Sequence, residues 1–246
     1  MTMSETYKSR AIVLHTIKYG DNGHIVHLYT EALGRRSYYV GGLRNGRLSV
    51  GRNKIALQPL TVVDIVGYPG QRSDLHRLRE ASTPYLLASL LFDVRKSAIA
   101  LFMAETVYRI VREEGPNPLF FDFFEGAVKA LDEATDGVAN FHIYFLLEMT
   151  RFMGYYPSDN YSPGAFFDLS RGEFVVIKPH DPDVYMDRRE SEILASFIGR
   201  SLGEVLCIAM GRAERVALLG GLIRFLSYHH DSAYKISSIK ILGEIF

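Results

Sequence analysis

The hydrophobic pattern of this chain of 246 residues changes its period near residue 80. Before that point, short runs rich in β-branched and aromatic residues are separated by turns that contain glycine, a pattern typical of strands. After it, apolar residues recur with the spacing of amphipathic helices. The order predicts an α+β protein in which a β domain, residues 1–80, precedes a helical domain, residues 81–246.

Five strands are predicted in the first domain, and most of their connections are short. The predicted strands span residues 11–16, 25–30, 36–40, 54–57 and 60–67. So many short strands in so little chain favour a small antiparallel barrel. We expect an N-terminal five-stranded OB-fold β-barrel, a fold whose surface binds oligonucleotides.

The second domain is predicted to be all-helical apart from one small β-hairpin insert. Helices are predicted at residues 85–92, 98–113, 119–132, 141–152, 213–230 and 237–246. Residues 166–176 differ, because two short runs typical of strands flank a Ser-Arg-Gly turn. This pattern indicates a hairpin inserted at about residues 160–180.

The formal net charge of zero conceals an uneven distribution of charged residues. Residues 1–80 hold twelve basic and six acidic side chains, a balance of +6, and the remaining residues balance at −6. Residues 32–63 contain no Asp or Glu, but they contain the basic residues Arg35, Arg36, Arg44, Arg47, Arg52 and Lys54. A basic segment with interleaved tyrosines is typical of a nucleic-acid-binding surface.

These six cations, together with Tyr38, are the predicted DNA-binding residues. Cationic side chains displace counterions from phosphates, and flat rings stack on bases. Tyr29 and Tyr39 are further candidates for stacking. Because Tyr38 and Tyr39 are adjacent in a predicted strand, they point to opposite faces, and one of the two should lie in the core. We expect the cationic groups of the first domain to converge on one side of the barrel.

The single cysteine, Cys207, excludes an intramolecular disulfide and a zinc site built on several cysteines. Its apolar neighbours predict a buried side chain. Charged residues interrupt every apolar stretch before it reaches membrane-spanning length, and the N-terminus has no apolar run typical of a signal peptide. We therefore expect a cytoplasmic protein with no metal and no membrane contact.

Short motifs spread over most of the chain carry a family resemblance. In the first domain they are Ala11-Ile12-Val13-Leu14-His15, Tyr19-Gly20-Asp21-Asn22, Leu28-Tyr29-Thr30-Glu31, Gly41-Gly42-Leu43-Arg44 and Leu57-Gln58-Pro59-Leu60. In the second they are Glu113-Glu114-Gly115-Pro116-Asn117, Phe120-Phe121-Asp122, Phe145-Leu146-Leu147 and Gly154-Tyr155. In their order and spacing, these motifs resemble the RecO family of bacterial recombination mediator proteins.

One departure from the family concerns a metal. Many RecO proteins carry a cysteine-rich zinc-binding insert after the Gly-Tyr motif, and this chain has none of those cysteines. The predicted hairpin occupies that place. We expect apolar packing of Phe166, Phe167, Phe174 and Val176 to stabilise the region instead of zinc.

The resemblance implies a non-enzymatic DNA repair protein of the bacterial cytoplasm, associated with the nucleoid. Family members bind single- and double-stranded DNA, anneal complementary strands, and act with RecR to load RecA onto strands coated by single-stranded-DNA-binding protein. They also bind the acidic C-terminal tail of that coating protein. Such a tail needs a cation beside an apolar pocket, and Arg109, Arg112 and Arg151 are the candidates for this contact.

Two other functions are compatible with a basic barrel. One is an RNA-binding module, since OB surfaces accept RNA as well as DNA. The other is a protein-interaction scaffold whose basic face binds an acidic partner. An enzyme is the least supported alternative, because the sequence contains no Gly-Lys-Ser/Thr phosphate-binding loop and no nucleophile-elbow motif.

Overall fold

Two compact units make up the chain, Met1–Glu133 and Ala134–Phe246. The computed structural model describes residues 6–21, 23–41, 43–44, 47–50, 53–55, 57–70, 74–112, 115–230 and 233–246, with the backbone alone between residues 42 and 56 and at Leu91 and Tyr234. The change from strands to helices predicted at residue 80 falls inside the first unit, because three helices pack with the barrel.

The first unit is built on a closed barrel. Its strands are β1 (Tyr7–Tyr19), β2 (Gly23–Thr30), β3 (Gly34–Gly41), β4 (Leu43–Arg44), β5 (Arg47–Val50), β6 (Asn53–Ile55), β7 (Val62–Tyr68) and β8 (Leu75–Ser82). The barrel order is β1-β2-β3-β8-β7, and β4, β5 and β6 form a separate antiparallel meander. The β3–β8 pair is parallel and the other barrel pairs are antiparallel. The prediction of an OB-like five-stranded barrel is confirmed.

One of the five predicted strands does not belong to the barrel. The run predicted at residues 54–57 overlaps β6 of the meander, whereas the strand predicted at residues 60–67 is confirmed as β7, the fourth barrel strand in chain order. The fifth strand, β8, was missed. Its pairing with β7 shifts register at Val66 and Gly67, so apolar and charged side chains do not alternate cleanly along it. A bulge of this kind hides the period that identifies a strand in sequence.

The barrel core follows from alternation along the other strands, which a bulge interrupts in β1. The buried residues that fill it are Ala11, Val13, Val26, Leu28, Tyr38, Val40, Val63, Ile65 and Ala81. In β1 the register shifts between Val13 and His15, which inserts Leu14 as an extra residue. Beyond this bulge the outward positions of β1 are His15 and Ile17, paired with the outward positions of β2.

Helices α1 (Ala88–Phe92), α2 (Val94–Ile110) and α3 (Pro118–Glu133) complete the first unit. Tyr29, on the outer face of β2, is fully buried. Its ring lies edge-on to Phe120, with centroids 5.2 Å apart, and stacks on Phe121 at 6.3 Å. Aromatic pairs of this geometry add to the free energy gained by burying their area. Tyr29 thus joins α3 to the barrel and is unavailable for stacking on a base, contrary to the prediction.

A charge network joins the same elements. The Arg10 guanidinium donates twice to Glu31, at 3.2 and 2.9 Å, and once to Glu125 of α3, at 2.9 Å. Tyr85 donates to Glu125 at 2.8 Å, and the Lys129 ammonium lies 2.8 Å from it. Burial opposes ionisation of Glu125, but these partners outweigh it and hold the pKa of the carboxyl below its ordinary value.

The second unit is mainly helical. In chain order it contains a 3₁₀ turn at Val138–Asn140, α4 (Phe141–Phe152), β9 (Phe166–Asp168), β10 (Glu173–Val175), a 3₁₀ turn at Pro182–Val184, β11 (Tyr185–Met186), α5 (Arg188–Phe197), α6 (Leu202–Leu206), α7 (Arg212–His229), a 3₁₀ turn at Ala233–Lys235 and α8 (Ile239–Ile245). Helix α4 has the predicted bounds. Helices α5 and α6 were not predicted, although Asp187 and Ser201 begin them with capping boxes.

The predicted hairpin is present and gains a third strand. Strands β9 and β10 pair antiparallel, and β11 pairs with the other edge of β9. Phe167 is fully buried, 5.1 Å from the ring of Phe174 and 5.3 Å from that of Phe225 in α7. Phe166 is also buried, whereas Val176 is 77% exposed. Apolar packing therefore holds the hairpin, but the prediction that Val176 takes part in it was wrong.

The prediction that Cys207 is buried was also wrong, because this residue follows the short helix α6 on the surface. Among the described residues, no helix is both long and apolar enough to cross a membrane.

Replacing Phe167 tests the apolar support of the hairpin. Phe167→Ala should lower the free energy of unfolding by about 3–5 kcal/mol, because it removes a buried ring and leaves a cavity. Val176→Ala, on the same hairpin but exposed, should change it by less than about 0.5 kcal/mol. Urea unfolding followed by circular dichroism measures both, and equal effects would contradict this packing.

Glu125→Gln tests the charge network in the first unit. The variant keeps the shape of the side chain but leaves Arg10 and Lys129 without their buried carboxylate. Because both cations are partly solvated, we expect a loss of about 1–3 kcal/mol. Glu148→Gln removes an ion pair within a single helix and is the matched control, with an expected loss below about 0.5 kcal/mol. A loss in Glu125→Gln that is no larger than about 0.5 kcal/mol would show that the network contributes little.

Candidate nucleic-acid interface

Three of the predicted DNA-binding residues lie in the strands of the meander. Arg44 lies in β4, Arg47 in β5 and Lys54 in β6, and their side chains are outside the described part of the structure. Arg52 lies outside the described residues altogether. The backbone of the meander is inserted between β3 and β7 and lies beside β3 and β8. These four residues stay a prediction.

Arg35 has a structural contact that the sequence did not indicate. Its Nη1 donates to the carbonyl oxygen of Tyr108 in α2 at 2.6 Å, and its guanidinium carbon lies 5.5 Å from the centre of the Tyr108 ring. The same tyrosine packs against His15 and His27 on the outer face of β1 and β2. Arg35 therefore attaches α2 to the barrel, and its predicted role as a phosphate contact stays a prediction.

Burial at this contact also changes the titration of a histidine. The pKa of His27 is lowered from 6.5 to about 4, first by burial and then by the charges of His15 and Arg35. Its Nδ1 lies 2.9 Å from Ser37 Oγ. A neutral His27 is thus compatible with the guanidinium of Arg35 beside it.

Arg36 and Tyr38 point towards the interior of the barrel. Tyr38 is fully buried, and its hydroxyl accepts a hydrogen bond from Tyr7 at 2.8 Å. Burial, and then this hydrogen bond, raise the pKa of Tyr38 above its ordinary value. Arg36 is half-buried and donates to the Arg35 carbonyl oxygen at 2.9 Å. The pKa of His76 is lowered, first by the burial of His76 and then by the positive charge of Arg36. The prediction that Tyr38 stacks on a base was wrong, because it is the member of the tyrosine pair that lies in the core.

The other member of the pair, Tyr39, is half-buried in a partly exposed row that crosses the strands on the outer face. We define this outer row by the register neighbours Ile17 (β1), Ile25 (β2), Tyr39 (β3) and Arg77 (β8), with Tyr19 beside them. Ile17 is 40% exposed, Tyr19 54% exposed, and Arg77 is also exposed. With strands about 4.8 Å apart, the row extends over about 14 Å, enough for two or three bases.

Glycine makes the position of the Tyr39 ring possible. A Cβ atom at Gly23 would lie 2.6 Å from Tyr39 Cε2, so the ring rests directly on the backbone of β2. Tyr19 meets Tyr39 edge-on, with centroids 6.2 Å apart. The row thus presents aromatic and apolar surface with one guanidinium, the combination on which bases of a single strand stack. Sequence reasoning missed Tyr19 and Arg77, although alternation already favoured one of Tyr38 and Tyr39.

The charged residues of the first eighty positions do not all converge. Arg10 and Arg35 bind helices, and Arg79 pairs with Glu80. Only Arg77 of the described barrel arginines belongs to the outer row, and the basic meander lies beside its strand. The prediction that the cationic groups converge on one side of the barrel was therefore wrong. The structure instead has a small aromatic row with one arginine, next to a basic meander.

The candidates for binding a partner tail fall in different units. Arg109 and Arg112 belong to the first unit and Arg151 to the second. Arg109 lies 3.7 Å from Glu105 on the same helix, and Arg112 is exposed just after that helix. Arg151 donates twice to Glu148, at 3.1 and 3.2 Å, while its guanidinium carbon lies 3.8 Å from the centre of the Tyr156 ring. A partner carboxylate would compete with Glu148 there.

A closed barrel of this strand order, with exposed rings and an arginine on its outer face, defines a protein of the oligonucleotide-binding barrel class. Comparison with known proteins specifies the family. The family model described as Recombination protein O N terminal matches residues 3–85, and the one described as Recombination protein O C terminal matches residues 91–237. The chain belongs to the RecO family, and this membership supports a role in DNA repair and recombination.

Relatives match over nearly their whole length. Proteins named DNA repair protein RecO from Bacteroides fragilis, Phocaeicola vulgatus and Flavobacterium psychrophilum are each 32% identical to this chain over 240 residues, which is 97% of this chain and 98% of theirs.

The titration of His27 predicts a pH dependence of stability. In the unfolded chain His27 takes up its proton near pH 6.5, whereas in the fold it does so only near pH 4. Between these values the unfolded state binds more protons, so stability falls as the pH falls, by at most about 1.4 kcal/mol per pH unit for one group. His27→Gln should flatten this part of the profile.

The urea concentration at the midpoint of unfolding, measured for the full chain between pH 7.5 and 4, would give the slope of stability against pH. The variant should retain the part due to the buried His142, whose pKa is lowered to about 3 by burial and then by Arg215. Identical profiles for the wild type and the variant would contradict the assignment.

Proposed function

We propose that this protein binds single- and double-stranded DNA without catalysing a reaction on it, and anneals complementary strands as a mediator of recombinational repair. The observation that carries the proposal is the partly exposed outer row, with Tyr39 seated on Gly23 and Arg77 beside it. Rings of this kind stack on unpaired bases, and each stacked base contributes about 1–3 kcal/mol. Membership of the RecO family supports DNA as the ligand.

Annealing requires that two polyanions approach each other. The first unit carries seventeen basic and fourteen acidic residues, a balance of +3, and four of its cations lie close together in the sequence of the meander. Cations that bind phosphates release counterions and reduce the repulsion between strands. In this proposal the meander neutralises the backbone while the outer row holds the bases of one strand.

The partners follow from the family. We propose that the protein acts with RecR to load RecA on single strands coated by single-stranded-DNA-binding protein, and that it binds the C-terminal tail of the coating protein. Arg112 and Arg151 are both exposed, but Arg151 already binds Glu148, so Arg112 is the tail candidate that a partner carboxylate reaches most directly. A bacterial cytoplasmic location near the nucleoid belongs to the same proposal.

Binding of a single-stranded oligonucleotide to Tyr39 and Arg77 variants tests the proposed surface. Tyr39→Ala should weaken binding about tenfold, since one stacked base is lost, while Tyr39→Phe should bind as the wild type does. Arg77→Ala should weaken it too and lower the salt dependence. Tyr228→Ala, at an exposed tyrosine of the second unit, is the matched control and should leave the affinity unchanged.

The meander is tested in the same titration. Arg44, Arg47 and Arg52 changed together to Glu should abolish annealing and reduce the log–log salt slope by about 2, at roughly 0.7 per phosphate contact. Circular dichroism would check that the fold is retained. Unchanged affinity and annealing in both the Tyr39 and the arginine variants would overturn the proposal.

The two alternatives have distinct outcomes. Equal or tighter binding of an RNA oligomer of the same sequence would favour the RNA-binding module. Salt-sensitive binding of an acidic protein partner, without binding of either oligonucleotide, would favour the scaffold. A strand-annealing assay with and without the coating protein separates the proposed mediator from both.

A further inference from the structure

One further tyrosine continues the outer row onto the fifth strand of the barrel. Tyr68, in β7, pairs in register with Arg77 of β8, and Arg77 pairs in turn with Tyr39 of β3. Tyr39, Arg77 and Tyr68 are therefore neighbours on three adjacent strands. This register places one cation between two rings.

Tyr68 lies on the outer face of the barrel, as Tyr39 does. The residue before it, Gly67, is on the inner face, because a Cβ atom at Gly67 would lie 2.9 Å from Cζ of Tyr7 and 3.3 Å from Cε1 of the core residue Tyr38. Successive side chains of a strand point to opposite faces, so Tyr68 points outward. Tyr68 and Tyr39 are both half-buried, and part of each ring stays accessible.

Arg77 is the cation of β7 and β8 that is available to a phosphate. It is exposed, whereas Arg79 of the same strand is ion-paired with Glu80 at 3.2 Å. Strand β7 contains no basic residue, and its other exposed charge is the carboxylate of Asp64. A nucleic-acid backbone that crosses these two strands therefore finds its counter-charge at Arg77, between the two rings.

The spacing of the two rings determines which form of nucleic acid fits them. Neighbouring strands lie about 4.8 Å apart, so the positions of Tyr39 and Tyr68, two strands apart, are separated by about 10 Å. The stacked bases of one duplex strand follow each other at about 3.4 Å. Two neighbouring bases that bind these two rings are therefore too far apart to stack on each other, and the strand that carries them must be extended.

We propose that Tyr68 is a second stacking platform of the outer row. One base stacks on Tyr39, another base of the same strand stacks on Tyr68, and the phosphate between them binds Arg77. This inference rests on the proposed function, because it takes nucleic acid as the ligand of the row.

The consequence is a preference of the outer row for single strands. The bases of a duplex are paired and stacked, so they do not separate over two rings without loss of that structure. The row therefore binds a strand before annealing and not the annealed product, and contacts with duplex DNA are left to cations outside the row.

The affinities of Tyr68 variants for a single strand and for a duplex test this inference. Tyr68→Ala should weaken binding of an oligomer of deoxythymidines about tenfold, because one stacked base is lost, and Tyr68→Phe should bind it as the wild type does. The log–log salt slope should stay unchanged in Tyr68→Ala and fall by about 0.7 in Arg77→Ala, which removes a phosphate contact. The affinity of Tyr68→Ala for a duplex hairpin should equal that of the wild type.

Val66→Ala is the matched control, because Val66 is the preceding outward residue of β7 and is also half-buried. It should bind the single strand as the wild type does, and circular dichroism would check that both variants retain the fold. Equal losses in Tyr68→Ala and Val66→Ala, or equal losses for single strand and duplex, would overturn the inference.

The Tyr39 variant separates this inference from the proposed function. If Tyr39→Ala weakens single-strand binding and Tyr68→Ala does not, the inference is wrong and the proposed DNA-binding surface stands. If neither variant weakens it, the proposed surface is wrong as well.

Discussion

The packing of α2 and α3 on one part of the barrel determines where a ligand can bind. Tyr29 and the Arg10–Glu125 pair hold α3, while Arg35 and His27 meet Tyr108 of α2. These contacts extend along the outer face of β1 to β3 as far as His15 and His27, which Tyr108 contacts. The outer row begins at the next outward pair, Ile17 and Ile25. The surface of a small barrel is limited, so the helices, rather than the strands, determine which part of it stays accessible.

The same packing explains which arginines the sequence could not assign. Arg35 and Arg77 are equally basic and both lie on outward positions of strands. The difference between them is that a helix from a later part of the chain reaches one and not the other. Arg35 contacts the backbone carbonyl and the ring of Tyr108, a residue more than seventy positions later in the sequence, and this contact gives Arg35 its structural role. A charge count along the sequence therefore locates a basic region but does not separate cations that hold the fold from cations that meet solvent.

Local sequence patterns were sufficient to predict an element where each of its side chains lies either in the core or at the surface. Alternation identified the first three barrel strands and implied that Tyr38 and Tyr39 have opposite environments, although it did not say which of the two is buried. The turn at Ser170-Arg171-Gly172 identified the β9–β10 hairpin. The pattern failed in β8, where a bulge breaks the period, and in α5 and α6, which are short helices identified mainly by their capping boxes.

The hairpin of the second unit shows how aromatic packing stabilises a region in which this chain has no cysteine. Phe167 contacts Phe174 within the hairpin and Phe225 of α7, so one buried ring ties both strands to the longest helix of the unit. Phe166 points to the other face of β9 and is buried as well, so both faces of this central strand are covered. Val176 and Ile177 are exposed because they follow the end of β10 and lie outside this packing. Rings on both faces of one short strand thus stabilise the hairpin without a disulfide or a cysteine-rich site.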